Sequence, residues 1–333
     1  MTGNDVLLVV VVVIALGFDF TNGFHDTANA IATSVGTRAL TPRMAVLIAA
    51  VANLAGAFVT TAVAKNVAKG LIDANLATMQ TVLAALLGAI AWNLLTWWFG
   101  LPSSSSHALI GGLVGAALVQ SGEKGVLWHG IAHKVVIPAL AAPAIAFGGA
   151  FVVLLVIYWV FQWVTPGIAS RGFRLGQIGT GTWVAFTHGA NDAQKTMGVI
   201  ALALVLHNHG DPAHLTIPTW VKVAAGVAIG LGTYVGGWRI IRTLGQRVFR
   251  MDPEAGFAAQ AAAGTTIYLA TKYGYPLSTT HVVSGAVMGA GATKRLSAVR
   301  WGVAGNIVTA WVLTIPAAAA VAAAFYWPIQ GVF

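Results

Sequence analysis

Two short polar motifs recur in a chain otherwise poor in charge. PSSSSHALIGGLVGA, from Pro102, and PLSTTHVVSGAVMGA, from Pro276, share residues at matching intervals: Pro102/Pro276, Ser104/Ser278, His107/His281, Gly111/Gly285 and Gly115/Gly289. In each, proline precedes hydroxyl residues that open an apolar, Gly-rich helix, so Ser103, Ser104, Ser105 and Ser106, and Ser278, Thr279 and Thr280, fall at the N-cap and first turn. There the free backbone N–H groups and the positive end of the helix dipole face off the helix end. Two such tips meeting near a membrane midplane offer hydroxyls and two clusters of N–H donors. That is an anion site built without a fixed cation, suited to a tetrahedral oxyanion. Capping alone needs one hydroxyl per helix; four successive serines and a second copy point to binding.

A second motif pair, FTNGFHD (20–26) and FTHGAND (186–192), carries Asp26 and Asp192. Apart from Asp19 these are the only acids well inside the long apolar repeats, where a carboxylate is expensive and marks function. Beside an anion they carry the wrong sign: two unit charges about 5 Å apart repel by about 3 kcal/mol at an effective dielectric of about 20. The conflict disappears if cations or protons bind with the anion, which predicts cation-coupled symport. Lys195 follows Asp192 by three residues and shares its helix face. It neutralises Asp192 as a structural pair, touches the anion, or stands where a cation would sit. His25, His107 and His281 read as hydrogen-bonding groups at helix contacts. His207, His209, Asp211 and His214 resemble a metal cluster by composition but lie in a hydrophilic turn, and no metal site is expected.

The elements holding these groups follow from composition. Of 333 residues only 18 are basic and 9 acidic, so 8% are charged, while 57% are hydrophobic. Soluble domains carry about 25% charge. The mean hydropathy of +0.79 agrees, and a soluble enzyme, a secreted disulfide scaffold and a disordered chain are excluded. The basic residues are scattered between apolar runs, so they form no nucleic-acid stripe and read as positive charge kept inside. Without cysteine there is no disulfide or thiol chemistry. The first apolar run follows Asp5 and no Lys or Arg, so it reads as a first span rather than a signal peptide.

Apolar stretches able to cross about 30 Å of hydrocarbon lie near 6–35, 44–64, 82–99, 131–163, 178–206, 220–238, 256–273 and 301–326, with shorter ones after Ser106 and Thr280. The 131–163 stretch, containing Pro138 and Pro143, is one helix or two. Trp97, Trp98, Trp159, Trp163, Trp238 and Trp301 sit at span ends like an aromatic belt. Gly111/Gly115 and Gly285/Gly289 have the spacing of tight helix packing. Basic clusters flank the second hairpin: Arg239, Arg242, Arg247 and Arg250 before it, Lys294, Arg295 and Arg300 after it. Held on one side, they make it re-entrant, while the first, near Lys65, Lys69 and Lys124 only, opens outward. The expected fold is an all-α polytopic membrane protein, an inverted repeat with two re-entrant helical hairpins. Its parts are a first repeat at 1–164 (hairpin about 82–119), a connecting loop at 165–177 and a second repeat at 178–333 (hairpin about 256–292). Duplicated halves with interrupted hydrophobic segments are the mark of a secondary transporter and point to its binding site.

The stretches NGFHDTANAIATSVGTRALTPRMAV, GLPSSSSHALIGGLVGA, HGANDAQKTMG, YPLSTTHVVSGAVMGA and GNIVTAWVLTIPA together resemble the inorganic phosphate transporter (Pit) family over nearly the whole chain. The resemblance implies a low-affinity phosphate symporter of a bacterial-type cell inner membrane, usually a homodimer in lipid, working by alternating access. It assigns phosphate to Ser104, Ser105, Ser106, Ser278, Thr279 and Thr280. It assigns coupling ion or proton to Asp26, Asn29, Asn191, Asp192, Gln194 and Lys195. No cofactor is implied beyond co-transported H⁺ or Na⁺, with a metal–phosphate complex as an alternative substrate form. At Lys195 an ammonium replaces an amide that Na⁺-driven members use, and Asn53 stands where some members carry Glu, which favours H⁺. Competing readings are a sulfate symporter of the same architecture, an anion channel, and an intramembrane serine hydrolase built on Ser106 and His107.

Overall fold

The computed structural model describes residues 3–333, and among them there is no strand, only an isolated bridge between Ile72 and Val126. The helices are α1 (Gly3–Gly36), α2 (Pro42–Gly56), α3 (Ala62–Gly70), α4 (Met79–Phe99), α5 (Ser105–Ser121), α6 (Trp128–Ile131) and α7 (Ile137–Val160) in the first half. The second half holds α8 (Pro166–His207), α9 (Thr219–Val235), α10 (Trp238–Arg242), α11 (Pro253–Lys272), α12 (Thr279–Lys294) and α13 (Trp301–Val332). By length and composition α1, α4, the continuous 128–160 segment and α13 can each cross a membrane; α9 with its continuation to Arg247, bent by 59°, makes a fifth.

The 131–163 stretch is one helix to Val160: α6 passes into α7 through a π-helical turn, Ala132–Val136. Pro138 has no N–H for the ladder, and a widened turn beside it lets the helix continue. Residues 165–177, expected as a connecting loop, are instead mostly the first turns of the 42-residue α8. Pro166 at its first position presets the helical φ, and only a short turn before it joins the halves.

Packing repeats between the halves. Helix α5 lies on α13 as α12 lies on α7; α1 lies on α9 as α8 lies on α2; α4 and α11 pair with α1 and α8 in the same way. The small-residue spacing marks two of these contacts. A methyl on Gly111 would stand 2.5 Å from the Ile315 carbonyl oxygen of α13, and one on Gly285 the same distance from that of Pro143 on α7.

Both hairpins are helix–turn–helix pairs, α4–α5 and α11–α12, and their turns match residue for residue. Gly100 (φ 65°) and Gly274 (φ 78°) end the first helices in the left-handed region. Leu101 and Tyr275 donate back to the Thr96 and Ala270 carbonyls, each at 2.9 Å. The pairs close at opposite ends of α1. At its start, Asp5 lies 3.3 Å from His207 at the end of α8, and Gln120 near the end of α5 bonds the Leu76 carbonyl before α4. At its finish, Lys294 ending α12 pairs with Asp252, the N-cap of α11.

Two apolar cores sit along this axis. One contains Leu7, Val11, Ala15 and Phe18 of α1 with Met197 and Ile200 of α8. The other holds Ala28, Ile31 and Ala32 with Val184 and Ala185. Between them α1 and α8 are buried but polar, and there the two hairpin tips meet.

Candidate functional site

Ser104 and Ser278 occupy the N-caps of α5 and α12, and their hydroxyls accept from the His107 and His281 amides at 3.1 and 3.2 Å. These two serines therefore shape the tips, while Ser105, Ser106, Thr279 and Thr280 follow in the first turns with amides that lack intrahelical acceptors. The tips touch. Ser106 donates to the Leu277 carbonyl at 2.9 Å, and the His107 and His281 rings meet edge-on with centroids 4.6 Å apart. All six hydroxyl residues are buried.

The motif helices reach the tips crosswise. On α1, Asn29 donates toward Thr279 and Thr280 at 3.2 and 3.0 Å. On α8, Lys195, three residues after Asp192 as Asn29 is after Asp26, bonds Ser106, the Leu277 carbonyl at 2.8 Å and Asp192 at 2.5 Å. Lys195 thus pairs with Asp192 and bonds both tips at once. Asp26 faces the first tip: the Ser105 hydroxyl lies 2.8 Å from Asp26 Oδ2 and 2.7 Å from Asn22 Oδ1. Thr280 reaches Asp26 Oδ1 from the second tip at 3.4 Å.

Two of the expected coupling residues also make contacts outside the tips' hydroxyl cluster. Gln194 turns away from the tips, and its carbonyl oxygen accepts from the Val63 and Ala64 amides at 2.9 and 3.2 Å, capping α3. Asn191 donates to Thr271 at 2.8 Å and the Tyr275 carbonyl at 3.0 Å, bracing the second turn.

His188 is the residue the sequence reading missed. It occupies the repeat position of Asn22, and its Nδ1 lies 2.8 Å from Asn53 Oδ1, which a further bond ties to Thr233 at 2.9 Å. Its Nε2 lies 3.4 Å from Asp192 Oδ2 and 4.0 Å from Asp26 Oδ2. Asp26 and Asp192, expected at a coupling ion or proton, thus join His188 in presenting three ligand atoms within 4.8 Å of one another. Carboxylate, imidazole and carboxylate in that arrangement can close on a cation or share a proton. On the other flank His25 Nδ1 lies 2.6 Å from Asp26 Oδ1 and its Nε2 3.1 Å from Thr96.

Asp19 is fully buried like the other two carboxylates; Asn22 and Thr196 are its polar neighbours, but among the described residues none meets hydrogen-bond geometry with its oxygens. The turn histidines form no common centre, since His214 pairs with Asp211 at 2.8 Å while His207 turns to Asp5. Ser106 is engaged by Lys195 and Leu277 rather than by His107, so the pair needed for a serine hydrolase is not assembled.

The sequence profile described as the phosphate transporter family matches residues 22–172 and 161–322. A protein of Mycobacterium bovis named "Probable low-affinity inorganic phosphate transporter" is 52% identical over 324 residues, covering 96% of this chain and 77% of its own. A protein of the same printed name from Bacillus subtilis is 43% identical over 332 residues, 98% of each chain. A solved structure titled "The sodium-dependent phosphate transporter" superposes with a TM-score of 0.91 at 28% identity, covering 98% of this chain and 100% of that one.

Proposed function

The chain belongs to the phosphate transporter family, and we propose that it takes up inorganic phosphate by proton-coupled symport, alternating access between the two faces of a plasma membrane. One observation carries this reading: two hydroxyl-rich helix N-termini meet inside the protein, directly over two carboxylates. The helix ends and the hydroxyls of Ser105, Ser106, Thr279 and Thr280 bind the phosphate oxygens, and Ser104 and Ser278 hold the tips in shape. Asn29 and Lys195 already bond hydroxyls of both tips, so they exchange those bonds for the anion when it enters. The carboxylates make anion binding dependent on positive charge arriving with it.

Lys195 favours the proton. Its ammonium fills the space between Asp192, Ser106 and the Leu277 carbonyl, an oxygen set that would otherwise suit a hard cation. The groups left around this ammonium are the carboxylates of Asp26 and Asp192, each with an imidazole beside it: His25 Nδ1 lies 2.6 Å from Asp26 and His188 Nε2 3.4 Å from Asp192. A carboxylate able to accept the proton of hydrogen phosphate also separates phosphate from sulfate. The hairpins closing at opposite ends of α1 support an inverted repeat with re-entrant hairpins, each half gating one face.

Labelled phosphate uptake into proteoliposomes, with pH and Na⁺ gradients imposed separately, tests this. The expected result is accumulation driven by a pH gradient in Na⁺-free medium, with unlabelled sulfate a poor competitor. Stimulation by Na⁺ alone would overturn the proton assignment, and no uptake under either gradient would overturn transport itself. Asp192→Asn is expected to abolish accumulation.

A further inference from the structure

Arg38 stands where a helix end calls for glycine. Its φ is 60°, in the left-handed region that non-glycine residues enter at a cost. The Ala39 and Leu40 amides return to the Ser34 carbonyl at 2.9 and 3.2 Å, a helix termination that usually places glycine at the left-handed position. Glycine would make this turn with less strain. The arginine side chain is therefore what the strained position supplies.

That side chain lines a cavity of about 670 Å³, and so do Arg247, Arg250 and Arg300. The four come from four places in the chain: the turn after α1, the π-helical turn after α10, the link to α11 and the link to α13. Among the described residues no carboxylate lies within 4 Å of any of these guanidinium groups. The nearby Asp252 is occupied by Lys294. Backbone closes part of the wall, where Gly36 lies so near Gly245 that a methyl would stand 2.7 Å from its carbonyl oxygen. All four arginines are exposed at this solvent-open cavity, so water and salt screen much of their mutual repulsion; what they offer an anion with several oxygens is arginine's planar fork, which matches phosphate oxygens two at a time. A topology signal needs positive charge on one side only, with neither convergence nor a strained backbone.

We propose that this cavity is a second oxyanion site, taking a phosphate group at the end of the bundle that the positive-inside rule assigns to the cytoplasm. Gly36 is ten residues beyond Asp26 on α1, about 15 Å along the axis, so the cavity is separate from the buried site. As the binding place on the delivery side, it lets accumulated phosphate act back on transport. A free phosphate ion and the headgroup of a phosphorylated lipid share this chemistry. Only the choice of probe rests on the transport reading.

Equilibrium binding of labelled inorganic phosphate to the purified chain, in lipid-free neutral detergent, distinguishes the sources. The wild type is expected to bind two equivalents. Arg38→Gly is expected to weaken one of them at least tenfold, the scale of losing a charge-assisted hydrogen bond of about 1.5 kcal/mol or more, while leaving the unfolding temperature equal or higher. Ser106→Ala should weaken only the other equivalent. If the wild type binds one equivalent, the lipid arm decides. Retention of phosphatidic acid from mixed micelles that falls in Arg38→Gly and Arg247→Gln supports the site with a lipid headgroup as its ligand. Retention unchanged in both variants, with one equivalent of phosphate bound, overturns the site. Absence of any phosphate binding overturns the transport reading and leaves the cavity to the lipid arm alone.

Discussion

Lys195 and Asp192 form an ion pair that is almost wholly buried, and buried pairs behave asymmetrically under mutation. Removing one partner strands the other charge and costs about 3–5 kcal/mol, whereas replacing both with apolar groups is often neutral. Lys195→Met is therefore expected to lower the unfolding midpoint in detergent and to stop concentrative uptake. Adding Asp192→Leu should restore the midpoint without restoring uptake, which separates the structural share of the pair from its functional share. Ser106→Ala removes the first-tip hydroxyl that accepts from Lys195 and donates to the Leu277 carbonyl of the second tip. It is expected to raise the half-saturating phosphate concentration about tenfold or more in an initial-rate assay. Asp192 and Ser106 were legible in the sequence because polar groups inside apolar segments are few and these positions are polar in both halves, and Lys195 because a lone charge shares the helix face of Asp192. His188 was not, because nothing in its spacing sets this histidine apart, and its repeat position holds Asn22. Its role appears only when α2 packs against α8 and brings Asn53 to 2.8 Å from its ring. Nor did the motif tell that the helix turns Gln194 toward α3.

At the scale of elements, the tips stay opposed because α5 and α12 are each held against one long helix through small residues. At Gly111 and Gly285 the atom facing an added methyl is a carbonyl oxygen of the neighbouring backbone, which cannot rotate aside as a side chain does. Gly111→Ala and Gly285→Ala are expected to destabilise the protein by about 1–3 kcal/mol each. Gly148→Ala, where nothing lies within 4 Å, should have little effect, and thermal unfolding in one detergent compares all three. The spacing that signals this packing was plain in the sequence. The extent of α8 was not: residues 165–177 carry Arg171, Arg174 and several small polar residues, and so read as a loop. Pro166 as a first helical residue and the burial of Phe173 and Gln177 against α11 overrode that composition. The π-helical turn before α7 belongs to the same class, since the prolines marked an interruption without saying that the helix would widen rather than end.

For the whole molecule, the duplicated motifs and the uneven basic clusters led to one arrangement, two halves facing opposite ways. The packing is compatible with it in a specific manner. The base of the first hairpin lies with Asp5 and His207, the base of the second with Arg38, Arg247 and Arg300. Since α1 has the length to cross a bilayer, these two bases lie on opposite faces if α1 spans it. The absence of cysteine makes this directly measurable. Glu123→Cys, in the turn after α5, and Ser297→Cys, in the turn after α12, both introduce a thiol at an exposed position. A membrane-impermeant maleimide is expected to label Glu123→Cys on intact cells, and Ser297→Cys only after permeabilisation. Labelling of both from the same side would overturn the inverted arrangement and, with it, the assignment of one gate to each half. The reverse pattern, with Ser297→Cys labelled outside, would keep the inversion but place the arginine cavity on the face from which phosphate is taken up.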